Sequence, residues 1–143
     1  NGVVAAWLLR GSAIIFSGFF DGVPVEWGIA QLGDVDGNGT ADVIWRNSNS
    51  GVVAVWLMNG LTITATGFPG SASTDFEISG AGDVDGDGKA DLLWRNTASG
   101  VVAVWLMEVL GPVSQPRISG YSGGPLLIVE LSRIMSRHAP CTM

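Results

Sequence analysis

The sequence repeats itself at an offset of 49 residues. Gly33–Met58 falls on Gly82–Met107 with only six mismatches in 26 positions, and Gly2–Leu8 falls on Gly51–Leu57 at the same offset. Trp7, Trp56 and Trp105 are therefore one position in three successive units. A chain with this period folds as a series of similar supersecondary units. Each leaves an apolar face that only its neighbour can bury.

Within a unit the residues alternate between strand and turn signals. Trp27–Leu32 is a short apolar run, Val43–Asn47 reads as a strand, Ser48–Gly51 as a turn and Val52–Met58 as a second strand rich in β-branched residues. Asn59-Gly60 is a hairpin signal, and Leu61–Thr66 alternates apolar residues with threonine as an outer strand does. Val52–Met58 is apolar at every position, so both faces of that strand must be covered. Four-stranded units stacked face to face satisfy this. The expected fold is all-β, with β-propeller-type four-stranded blades, about three per chain, and the ring incomplete.

Between the first two strands of each full unit lies a nine-residue loop. The first is Asp34-Val35-Asp36-Gly37-Asn38-Gly39-Thr40-Ala41-Asp42, and the second is Asp83-Val84-Asp85-Gly86-Asp87-Gly88-Lys89-Ala90-Asp91. Oxygen side chains recur at loop positions one, three, five and nine, and glycine holds position six in both, where the chain must turn sharply. Calcium takes about 6–8 oxygen ligands, and a tight loop aims alternate side chains inward. The backbone carbonyl of Thr40 or Lys89 would add a further ligand, with the Lys89 side chain pointing outward. Asp and Gly are common in ordinary turns. Two copies with the same oxygens and the same glycines argue for a shared ion. Magnesium prefers fewer protein ligands and strict octahedral geometry, and zinc would want the His or Cys that both loops lack. An EF-hand would need a glutamate where Trp45 and Trp94 stand. Two Ca²⁺ per chain are expected, with the 83–91 site the tighter because it has four carboxylates.

Charge tells the same story. Of the thirteen acidic residues, seven lie in these two loops, leaving six acids against six bases elsewhere. The acidity is local and suits cations; nucleic acid is not an expected partner. Gly, Asp or Arg interrupts every apolar run, so no membrane insertion is expected. The sequence shows no basic-then-apolar leader before its first strand, which fits either a removed signal or a piece of something larger.

The pattern DxDGxGxxD followed by a strand, in a blade-length repeat, resembles the FG-GAP or VCBS repeats of integrin-α-like β-propellers. The extension WRN…SGxVAVWLMNG resembles the tryptophan-rich version of bacterial secreted and surface proteins. The resemblance covers residues 1–107. It implies a calcium-stabilised propeller in an extracellular or cell-surface setting. It also carries the ligand role onto Asp34, Asp36, Asn38, Thr40 and Asp42, and onto Asp83, Asp85, Asp87, Lys89 and Asp91.

The expected organisation is a partial blade over 1–30, blades over 31–79 and 80–107, and a divergent segment over 108–143, supplying a last strand or a cap. The usual ring of about seven blades exceeds what this chain holds. Ser132, Ile134 and Ser136 stand where a third loop would place ligands, and only Leu126–Leu131 reads as a strand there. The end faces around Val3–Leu8 and Val101–Met107 would be bare, so a homo-oligomer joined through blade faces or exchanged strands is expected.

No catalytic residue is singled out. His138 and Cys141 lie in the tail, no GxSxG elbow occurs, and the glycine-rich loops lack the Lys-Ser/Thr of a P-loop. The recurring tryptophans read as packing between blades, and Arg46 and Arg95 as partners for a neighbouring carboxylate. The function expected is a non-catalytic calcium-binding module for adhesion or protein interaction. The alternative is a calcium-dependent lectin, its tryptophans stacking on a glycan ligand.

Overall fold

The computed structural model describes residues 2–110 and 113–117. Among them there is no helix, and ten strands form three antiparallel sheets. A hairpin pairs β1 (Gly2–Arg10) with β2 (Ala13–Val23). The first four-stranded sheet runs in chain order through β3 (Trp27–Gly33), β4 (Asp42–Asn47), β5 (Val52–Asn59) and β6 (Thr62–Ser71). The second repeats it with β7 (Phe76–Gly82), β8 (Asp91–Asn96), β9 (Val102–Leu110) and β10 (Val113–Arg117).

Pairing follows the sequence repeat residue for residue. Gly33 pairs with Asp42 as Gly82 does with Asp91, and Val43 with Trp56 as Leu92 does with Trp105. Both first strands carry an irregularity at the same place, between Ile29 and Gln31 and between Ile78 and Gly80. The chain turns at Asn59-Gly60, where Gly60 takes a φ of 61° that a side chain would resist, and β5 continues into β6.

The sheet boundaries differ from the expected units. The breaks fall between β2 and β3 and between β6 and β7, because Trp27–Gly33 and Phe76–Gly82 each pair forward with the strand after the loop. The second sheet also runs past Met107. β10 joins it as an edge strand, where Pro116 costs no ladder hydrogen bond, just as Pro69 sits in the edge strand β6. The candidate strand Leu126–Leu131 and the tail with His138 and Cys141 lie outside the described residues.

One hydrophobic cluster joins the two four-stranded sheets. Val35, Ile44, Val53, Val55 and Leu57 meet Ala90, Leu92, Trp94, Trp105 and Met107. Burying each large apolar side chain contributes about 1.5–3 kcal/mol, so this contact is the main source of stability between the sheets. The sheets approach tightly at Gly33, where an added Cβ would lie 2.9 Å from the Ala90 Cβ. The Ala90 amide crosses the same contact to donate to the Asp34 carbonyl at 2.6 Å.

Equivalent residues consequently differ in burial. Val35 and Ile44 are both 0% exposed, while their copies Val84 and Leu93 are 61% and 38% exposed. The second sheet covers that face of the first, and no described strand covers the corresponding face of the second.

Candidate metal centre

Each nine-residue loop joins the first strand of a sheet to the second. Gly37, Gly39, Gly86 and Gly88 all take positive φ, which folds the backbone back on itself. Asp34 organises the first loop, its carboxylate accepting the amides of Gly37 at 2.7 Å, Asn38 at 3.0 Å and Gly39 at 2.8 Å. Asp83 accepts those of Gly86, Asp87 and Gly88 at 2.6, 3.1 and 2.9 Å. At position five, Asn38 Oδ1 accepts the Thr40 amide at 2.7 Å and Asp87 Oδ1 the Lys89 amide at 2.8 Å. The two loops are folded by the same hydrogen bonds.

Carboxylate oxygens of Asp34, Asp36 and Asp42 lie within 4.8 Å of one another, and so do those of Asp83, Asp85 and Asp87. The Asn38 amide nitrogen turns to the Asp36 carboxylate at 3.1 Å, and the Thr40 hydroxyl reaches the Met58 carbonyl. Three clustered carboxylates repel one another in the absence of a cation. Such an all-oxygen donor set fits calcium.

Asp42 and Asp91 differ from the rest because they are buried. Asp42 accepts the Val35 amide and the Met58 amide, both at 2.8 Å, and Asp91 accepts Val84 and Met107 at the same distance. Position nine thus ties the loop to the end of the third strand, a role that the loop motif alone does not suggest. The signal was present in the sequence as the fixed spacing from Asp42 to Met58 and from Asp91 to Met107. Desolvation pushes both carboxyls above the ordinary aspartate range, the two backbone donors work against it, and neighbouring loop aspartates add to the rise.

Two expectations need correction. The Lys89 side chain does not point away from its loop: its ammonium lies 3.5 Å from Asp87 and its stem packs near Gly37 of the first loop. Stacking of the two sheets brings that stem back across the contact. Among the described residues Arg46 pairs with no carboxylate. Its guanidinium donates to the carbonyls of Gly51, Ala72, Ser73 and Phe76 at 2.6–3.1 Å and lies 4.8 Å from the centre of the Trp94 ring.

Residues 34–94 match the family model described as FG-GAP-like repeat. That stretch is an FG-GAP-like repeat segment. The match begins at the first loop aspartate and runs through the second loop to Trp94. No curated protein and no solved structure matches the chain. In this FG-GAP-like segment the recurring tryptophans, expected to pack between blades, instead form their closest ring pairs within each four-stranded sheet. Trp45 meets Trp56 and Trp94 meets Trp105 in tilted ring contacts, each pair with ring centres 4.7 Å apart. Trp7, outside the segment, is 61% exposed.

Proposed function

We propose that this chain is a non-catalytic repeat module for protein interaction or adhesion, whose sheets are propeller-type blades with one Ca²⁺ in each aspartate loop. One observation carries the reading: two loops, one repeat apart, share a hydrogen-bonded frame and each gathers three carboxylates, at positions one, three and nine in the first and one, three and five in the second. Asp34, Asp36, Asn38 and Asp42 with the Thr40 carbonyl would hold one ion. Asp83, Asp85, Asp87 and Asp91 with the Lys89 carbonyl would hold the other.

The ion offsets the repulsion among the carboxylates, and the loops in turn sit where the two sheets touch. Calcium modules with dissociation constants on the order of 10⁻⁴–10⁻³ M suit an extracellular setting, where the ion is abundant. The exposed face carrying Val84 and Leu93 favours association of copies through sheet faces.

Calorimetric titration of the full chain tests the metal. Two sites are expected, Asp85→Ala should leave one, and excess calcium should raise the unfolding midpoint in line with RT ln(1 + [L]/Kd). Absence of binding at millimolar calcium, with thermal stability unchanged by a chelator, would end this reading.

A further inference from the structure

Among the described residues asparagine precedes glycine twice, at Asn38-Gly39 in the first aspartate loop and at Asn59-Gly60 in the β5–β6 turn. That order favours a self-reaction. Glycine has no Cβ to hinder its own backbone nitrogen, which can attack the preceding side-chain amide. All four residues are exposed, so access to water does not separate the two sites.

Hydrogen bonding does. The Asn38 side-chain nitrogen donates to the Asp36 carboxylate at 3.1 Å and to the Met58 carbonyl at 3.2 Å, and its oxygen accepts the Thr40 amide at 2.7 Å. The Gly39 nitrogen, which would be the nucleophile, donates to the Asp34 carboxylate at 2.8 Å. Attack at Asn38 must disturb all of these. At Asn59 the described residues make no hydrogen bond to the side chain. Asn59 pairs with Thr62 as the last rung of the hairpin, and Gly60 lies at its tip with a φ of 61°. A register irregularity between Leu57 and Met58 sets that end of the ladder apart from the rest.

We propose that Asn59 is a deamidation site of the folded chain, and that its isoaspartyl product loosens the first aspartate loop while sparing the second. The Gly60 nitrogen, deprotonated by base, bonds to Asn59 Cγ. The Cγ–Nδ2 bond breaks, and that nitrogen leaves as ammonia, taking up the equivalent of the proton that Gly60 lost. Water then opens the five-membered imide. Addition at Cγ gives aspartate, and addition at the main-chain carbonyl gives isoaspartate, whose backbone runs through Cβ and Cγ.

Isoaspartate lengthens the backbone inside a turn that has only Gly60 and Leu61 between the paired Asn59 and Thr62. The residue before it is Met58, whose amide donates to Asp42 at 2.8 Å and whose carbonyl accepts the Asn38 side-chain nitrogen and the Thr40 hydroxyl. A turn that no longer closes on Thr62 pulls on this anchor of the first loop. In the second unit Glu108-Val109 stand at the equivalent positions, so Met107, whose amide holds Asp91 at 2.8 Å, has no such neighbour.

The test ages the full chain in warm, mildly alkaline calcium buffer, beside a sample unfolded in urea, and maps the conversion by digestion, chromatography and mass spectrometry. In the folded chain Asn59 should convert at least about 10-fold faster than Asn38, which must give up several hydrogen bonds. In urea the two rates should converge. Asn38 converting as fast as Asn59 in the folded chain, or Asn59 staying intact there, would overturn the site. Hydrogen exchange of the isoaspartyl fraction reads the consequence. The Met58 amide should lose protection at least about 5-fold while the Met107 amide keeps it. Unchanged exchange at Met58, or an equal loss at Met107, would overturn the link to the loop. Asn59→Gln, whose longer side chain does not form the five-membered imide, should keep Met58 protected over the same incubation. Loss of protection in that variant would assign the loosening to another change. Each readout follows the covalent state of Asn59 and stands apart from whether the loops hold calcium.

Discussion

Asp42 accepts the Met58 backbone amide at 2.8 Å, fixing the aspartate loop to the end of β5, and its other oxygen holds the Val35 amide inside the loop. Both amides are buried, so the carboxylate organises the fold whether or not an ion is bound. Asp42→Ala in chelator should cost at least about 2 kcal/mol, since each stranded donor costs about 1–3 kcal/mol. Asp42→Asn keeps one acceptor and should cost less. Urea unfolding of the metal-free variants measures both; a cost no larger than that of Asp36→Ala would contradict this role.

Lys89 stands 3.5 Å from Asp87, with both side chains partly exposed. It therefore competes with a cation for that carboxylate, and the extra acid of the second loop does not by itself make the tighter site. Lys89→Ala should raise the calcium affinity of that loop by up to about 5-fold, the range of an exposed ion pair. Titration calorimetry would show it, and an unchanged or weakened site would refute the competition.

Arg46 and Arg95 occupy the same repeat position, and among the described residues Arg46 is the one seated on carbonyls and a tryptophan face. Arg46→Ala should destabilise the chain by at least about 2 kcal/mol by leaving carbonyls and the Trp94 face without their partner. Lysine should not restore it, having no planar fork. Arg95 is exposed, and Arg95→Ala should stay within about 0.5 kcal/mol. Similar losses in both variants would show that the seat contributes little.

Gly33 and Gly82 make the same comparison for the sheet contact. A Cβ at Gly33 would press on Ala90 at 2.9 Å and Ala81 at 3.1 Å, while one at Gly82 meets nothing within 4 Å. Gly33→Ala should lower stability by about 1–3 kcal/mol through overpacking, and Gly82→Ala should be tolerated. Thermal unfolding of the pair would expose an error in the stacking if their order were reversed.

What could be read from the sequence was whatever depends on near neighbours along the chain. Gly60 marks the β5–β6 turn, the apolar run Val52–Met58 marks a strand covered on both faces, and the aspartate spacing marks the loops. Each follows from backbone preference or side-chain alternation over a few residues, and the repeat states it twice. Tertiary structure alone decided where the copies differ. Val35 and Val84 have the same sequence context and opposite burial, because a second sheet lies on one and no described strand on the other. Arg46 finds its carbonyls on residues as distant as Phe76, and Lys89 turns back beside Gly37, both across the contact between sheets. Burial and long-range pairing depend on which face meets which, and identical local sequence carries no record of that.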